Sequence, residues 1–126
     1  MSTRRDAGRI VVCRGCCCGT PHRHPHTDHD AHLTALRRTR DHAGRTVPVL
    51  VSGCLGPCAE GNIVVVHPSA SGRRRGARPT WFGFVNDDQA IAEVTAWLAA
   101  GGPGIAPMPP TLELHRITAP GRRARA

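Results

Sequence analysis

The chain reads as an α/β domain of element order β-α-β-β-β-α, a mixed four-stranded sheet covered by two helices. Three observations carry this reading. Short apolar runs recur, rich in Val and Ile at 9–13, 46–51 and 62–67 and aromatic at 80–85, the length and composition of strands. Two longer stretches, from 28 to about 43 and from 86 to 100, repeat apolar residues at helical spacing behind a capping residue. The first strand, first helix and second strand follow in that order, and such a unit gives two parallel strands through a right-handed crossover.

Taken in order, residues 1–8 form a polar lead expected to be disordered. Ile10, Val11 and Val12 make 9–13 a short buried strand. Residues 15–27 are a loop holding the first cysteines and a histidine run. Asp28 is the N-cap of the first helix. Leu33, Leu36 and Ala43 give that helix its apolar stripe, Arg37, Arg38 and Arg40 face water, and Gly44 is the C′ stop. Pro48 withholds a ladder donor and marks 46–51 as an edge strand. The unbroken run from Ile63 to Val66 predicts a strand buried on both faces. Residues 68–79 are a Ser/Gly/Arg connector that lets the third strand and the fourth pair as a hairpin. Asn86 caps the second helix, Asp87 and Asp88 favour its dipole, and Gln89 takes the capping-box position. Ile91, Val94, Trp97 and Leu98 form its stripe, and Gly101, Gly102 and Pro103 end it. Residues 103–126 read as a Pro-rich, then basic tail, in which 111–117 form one short element packed on the domain. No internal repeat is present.

At 126 residues the chain is one domain. With two Trp, two Phe and no Tyr, its core is mostly Val, Ile, Leu and Ala. The net charge of +8 rests on 17 arginines without a lysine, and a basic surface attracts acidic proteins and nucleic acid alike. No apolar stretch follows the N-terminal arginines as in a secretory signal. None approaches the roughly 18 apolar residues of a membrane span. The expectation is a cytoplasmic protein, where clustered cysteines bind metal or do redox chemistry more often than they form structural disulfides.

All six cysteines lie in two tight clusters, Cys13 with Cys16, Cys17 and Cys18, and Cys54 with Cys58. Each cluster stands where a strand ends. Because those two strands are parallel, both loops leave the sheet at one edge, where open α/β folds place ligands. Two pairs of thiolates on two loops are what a four-cysteine metal centre requires. No phosphate loop and no Ser/His/Asp constellation accompanies them, which argues against a substrate-transforming enzyme. Glu60 and His67 read as incidental polar residues near the site.

The spacing Cys13-x4-Cys18-Gly19, the motif Cys54-Leu55-Gly56-Pro57-Cys58 and the apolar strand that begins after Gly61-Asn62 together resemble the thioredoxin-like [2Fe–2S] ferredoxin family. They are similar also to the small [2Fe–2S] subunit of respiratory complex I. Trp81, Phe82 and Gly83 resemble the family's aromatic strand, and 86–100 its closing helix. The resemblance covers about 9–100 and implies a thioredoxin-like fold for 9–102. It implies a [2Fe–2S] cluster held by Cys13, Cys18, Cys54 and Cys58 in a small one-electron carrier. It further implies a redox partner protein, for which the basic charge suggests an acidic docking face, and a homodimer. Two thiolates per iron divide naturally as Cys13 with Cys18 and Cys54 with Cys58, and Gly15, Gly19, Gly56 and Gly61 let backbone N–H groups approach the sulfurs.

Three departures from the family stand out. Cys16 and Cys17 are extra thiols, either of which can replace Cys18. A histidine run follows the first cluster, and the connector 69–79 is longer and more basic. Two other readings of the cysteines stay open. One is a zinc-stabilised binding module on the same residues, its basic patches contacting nucleic acid or an acidic protein. The other is a cluster-free thiol redox protein using Cys54 and Cys58 or the run 16–18.

His22, His24, His26, His29 and His32 lie within eleven residues. Imidazoles bind Zn, Ni or Cu, and His29 and His32 can share a helical face; the plainer expectation is a solvated loop. Arg73, Arg74, Arg75 and Arg78, and Arg122, Arg123 and Arg125, form short basic patches. Aromatic residues interleaved with them, as base stacking requires, are lacking, so nucleic acid is not the expected partner. Trp81 and Phe82 are expected in the core or shielding the cluster.

Overall fold

Alternating apolar residues give the sheet two different faces. The computed structural model describes residues 6–14, 27–53 and 61–119. Within them, β1 (Arg9–Cys13) sends Ile10 and Val12 into one apolar cluster and Val11 and Cys13 into another, as the strand period of two dictates. It pairs parallel with β2 (Val49–Ser52) and antiparallel with β3 (Val64–His67). The latter pairs with β4 (Thr80–Phe82), and β4 with β5 (Arg116–Ile117), both antiparallel. The strand order is β2-β1-β3-β4-β5. The described residues therefore build a mixed sheet of five strands, where the sequence predicts four.

The fifth strand comes from the segment read as a tail. Its two residues are too few to show a period, and they are ordered by what precedes them. There α4 (Pro110–Glu113) plants Leu112, fully buried, in the main core, and the chain then meets β4 through a hydrogen bond from Gly83 N–H to His115 O of 2.8 Å. As expected, β2 is an edge strand, with Pro48 contributing only its carbonyl, to Ile10 N–H at 2.9 Å. The Val-rich β3 lies centrally, with Val64, Val65 and Val66 all buried.

The main core sits between one sheet face and two long helices. Helix α1 (His29–Arg37) is capped by Asp28, whose side chain accepts from Ala31 N–H at 3.0 Å. It stops well short of residue 43, because Asp41 builds a turn of its own. One of its carboxylate oxygens accepts from the N–H groups of Ala43 and Arg45, each at 2.9 Å, and Gly44 takes φ 79° in that turn. Such local side-chain bonds compete with helix continuation. Helix α3 (Asp88–Ala99) is capped one residue later than predicted, by Asp87, which accepts from Ala90 N–H at 2.8 Å. Leu36 of α1 and Ile91, Val94, Trp97 and Leu98 of α3 cover Ile10, Val12, Val64, Val66 and Phe82. The Phe82 and Trp97 rings meet edge to face, centroids 6.0 Å apart. The connector after β3 also holds a short helix, α2 (Ala70–Arg74), because Ser69 Oγ accepts from Gly72 N–H at 3.1 Å. No described helix is long and apolar enough to cross a membrane.

Candidate metal centre

The parallel pair fixes where the two cysteine loops start. Cys13, last in β1, stands opposite Ser52, last in β2. Arg14 N–H donates to Ser52 O at 2.9 Å, which carries the pairing one step past the strand. The thiol of Cys13 donates to Gly53 O at 3.1 Å, and Gly53 precedes Cys54 directly. Cys13 is 2% exposed. On its other side, its N–H donates to Ile63 O at 3.0 Å. The chain thus leaves Gly53 and re-enters at Gly61 within a residue or two of groups bonded to Cys13.

The re-entry point is itself pinned. Gly61 and Asn62 take φ of 20° and 51°, the left-handed turn that glycine and asparagine tolerate. Their carbonyls accept from Phe84 N–H at 2.8 Å and Val85 N–H at 3.3 Å. Phe84 pays for this contact with φ 57°, unusual for a bulky side chain. Its ring is half exposed beside the same strand ends. Sequence reasoning missed Phe84; the Gly-Asn pair at 61–62 was the available signal, since it marks a turn that something must brace.

Of the predicted ligands, Cys18, Cys54 and Cys58 lie outside the described residues, as do Cys16, Cys17, His22, His24, His26 and Glu60. Among the described residues no group of three or more His, Cys, Asp or Glu side chains is assembled to hold a metal ion. The donor chemistry still fits a thiolate centre at the point described. Cys13 is buried at a strand end, and Ile63, Val65, Val11, Trp81 and Ile117 pack around it as an apolar wall.

Two expectations are corrected. His67 is not near Cys13, the described cysteine. It ends β3 opposite Arg9, while Cys13 is bonded to Ile63 at the start of that strand, about 13 Å away at the rise of a strand. The arginines at 73–75 follow His67 and so belong to that far end as well. His32 is not available to share a metal with His29. It is buried, and its Nε2 meets Asp88 Oδ1 at 2.8 Å, tying α1 to the start of α3. Thr27 Oγ1 adds a bond to Asn86 O at 3.1 Å at the same junction. Trp81 and Phe82 divide between faces, Trp81 against Cys13's cluster and Phe82 in the main core. Comparison with known proteins finds no matching family model, no matching curated protein and no matching solved structure.

Proposed function

We propose that this chain is a small one-electron carrier of the cytoplasm, a thioredoxin-like domain that holds a [2Fe–2S] cluster on Cys13, Cys18, Cys54 and Cys58. The observation that carries the reading is the bond from Cys13 Sγ to the carbonyl of Gly53, which brings a cysteine of the first cluster against the residue that opens the second. A bound cluster supplies one reversible one-electron couple. The protein's part is ligation and shielding, with no substrate transformed. Ligation requires the Cys13 thiolate, so the proton now given to Gly53 O is what a metal ion would displace. The apolar wall of Ile63, Val65 and Trp81 keeps water from that sulfur. Part of the same proposal is a redox partner with an acidic face, which the net charge of +8 attracts, and self-association as a homodimer.

The test is a visible spectrum with iron, sulfide and zinc analysis on protein purified without oxygen. The expected result is colour that bleaches on reduction, with about two iron and two sulfide per chain. Cys13→Ser, which keeps a donor for Gly53 O, should fold and lose the metal. Colourless protein carrying stoichiometric zinc would overturn the proposal in favour of a zinc-stabilised module. Colourless, metal-free protein with reactive thiols would overturn it in favour of dithiol chemistry. Light scattering checks the homodimer.

A further inference from the structure

The end of the sheet remote from Cys13 gathers two guanidinium groups and an imidazole around one cavity. Arg9 opens β1 and His67 closes β3, and the two stand directly opposite in the antiparallel ladder. A proton on His67 would there be repelled by the Arg9 charge. A third group joins them from α2, where Arg73 is held in place by a bond from Nη1 to Pro68 O of 3.0 Å. Together with Ala7, Gly8, Pro48 and Pro68 they line a cavity of about 220 Å³. No carboxylate is among the described residues that line it. The ion pairs among the described residues take His32, Arg45 and Arg116, and none of them takes Arg9 or Arg73. His67 is half-buried, and its pKa is held below the ordinary 6.5 by burial and then by the charges of Arg9 and Arg73. A fold that gathers two fixed positive charges and an imidazole around a hollow, with no carboxylate among the described residues of its lining, has left room for a counter-charge.

We infer that this cavity is an oxyanion site for a phosphate group, with Arg9, Arg73 and His67 as its donors. Guanidinium forks match the oxygens of phosphate. Donors reach the hollow from β1, β3 and α2, and a tetrahedral dianion offers acceptors toward all three. The volume is below the roughly 300 Å³ at which pockets for larger ligands begin and has room for one small anion with bound water. The site lies at the opposite end of β1 and β3 from Cys13.

The bound anion stabilises protonated His67, so by linkage the imidazole gains its proton more easily in the complex. The charged groups facing it are Arg9 from β1 and Arg73 from α2. Affinity attributable to His67, for a given ionisation state of the phosphate, therefore rises as pH falls toward the free protein's His67 value, which lies below the ordinary 6.5.

The experiment is an NMR titration of the full-length ¹⁵N-labelled protein with inorganic phosphate, and separately with methyl phosphate, at constant ionic strength set by chloride. The expected result is saturable shifts at Gly8, Arg9, His67 and Arg73. Arg9→Gln and Arg73→Gln should each weaken binding at least about tenfold, the scale of a charge-assisted hydrogen bond. His67→Gln should retain binding but lose part of its pH dependence. Arg75→Gln, which removes the same charge from the C-cap of α2 outside the cavity, should leave affinity unchanged. Saturation by both probes assigns the site to phosphate groups at large; saturation by inorganic phosphate alone assigns it to the free ion. Non-saturating shifts, or an equal loss in Arg75→Gln, would overturn the site and leave only attraction to a basic protein.

Discussion

Asp41 shows how one carboxylate can decide where a helix ends. Burial alone would raise its pKa, but the N–H and guanidinium of Arg45 and the N–H of Ala43 outweigh that and hold it below the ordinary 3.8. Its Oδ2 lies 2.7 Å from Arg45 Nε. A folded-state value below the unfolded one means the unfolded chain takes up the proton first. The stability it contributes is complete above about pH 4 and is lost as pH falls through the folded value. Asp41→Asn should therefore be less stable at neutral pH and show a flatter fall in stability on acidification, read by urea unfolding across an acid series. A parallel acid limb in both proteins would count against this role. None of it is legible in the sequence, where Ala43 extends the helical pattern and Asp41 passes for a solvated residue. Cys13 is the contrary case, since its place after Ile10, Val11 and Val12 marks both a strand end and a candidate ligand. Its bond to Gly53 is a fact of register that only pairing with β2 supplies.

Elements long enough to show a period were legible, and shorter ones were not. The β-branched run of β3, the Pro-marked edge at β2 and the stripe of α3 each repeat a signal over several residues. Helices α2 and α4, of five and four residues, do not. The strand β5 owes its existence to β4, whose Trp81 and Phe82 stand opposite Ile117 and Arg116. The segment after 103 thus belongs to the sheet and core through Leu112 and β5, although its composition is that of a linker. Leu112→Ala tests this directly. The side chain is fully buried among the main-core residues, so its loss should cost about 2–5 kcal/mol by the large-to-small rule. A change under about 0.5 kcal/mol in the urea midpoint, as at a surface position, would show that α4 merely rests on the domain.

Across the whole molecule, the two sheet faces separate stability from the proposed centre. The face under α1 and α3 holds the main core, whose described residues include no cysteine. The other face holds Cys13 with Ile63, Val65 and Trp81. A metal-free chain therefore keeps the larger core and should unfold cooperatively, unlike small zinc domains that fold only when loaded. Metal binding then adds stability by mass action, because it favours the folded state alone. The chain places one tryptophan on each face. Trp97 lies in the main core, its Nε1 donating to Ala106 O at 2.9 Å. Trp81 packs in the cluster of Cys13, two strands away, or about 10 Å at the spacing of neighbouring strands. In the single-tryptophan variants Trp97→Phe and Trp81→Phe, chelation should change the emission of Trp81 and leave that of Trp97 nearly constant, while both report the same later unfolding transition. Emission from Trp97 that shifts in step with metal loss would mean that the main core also depends on the centre, and the separation of the two faces would fail.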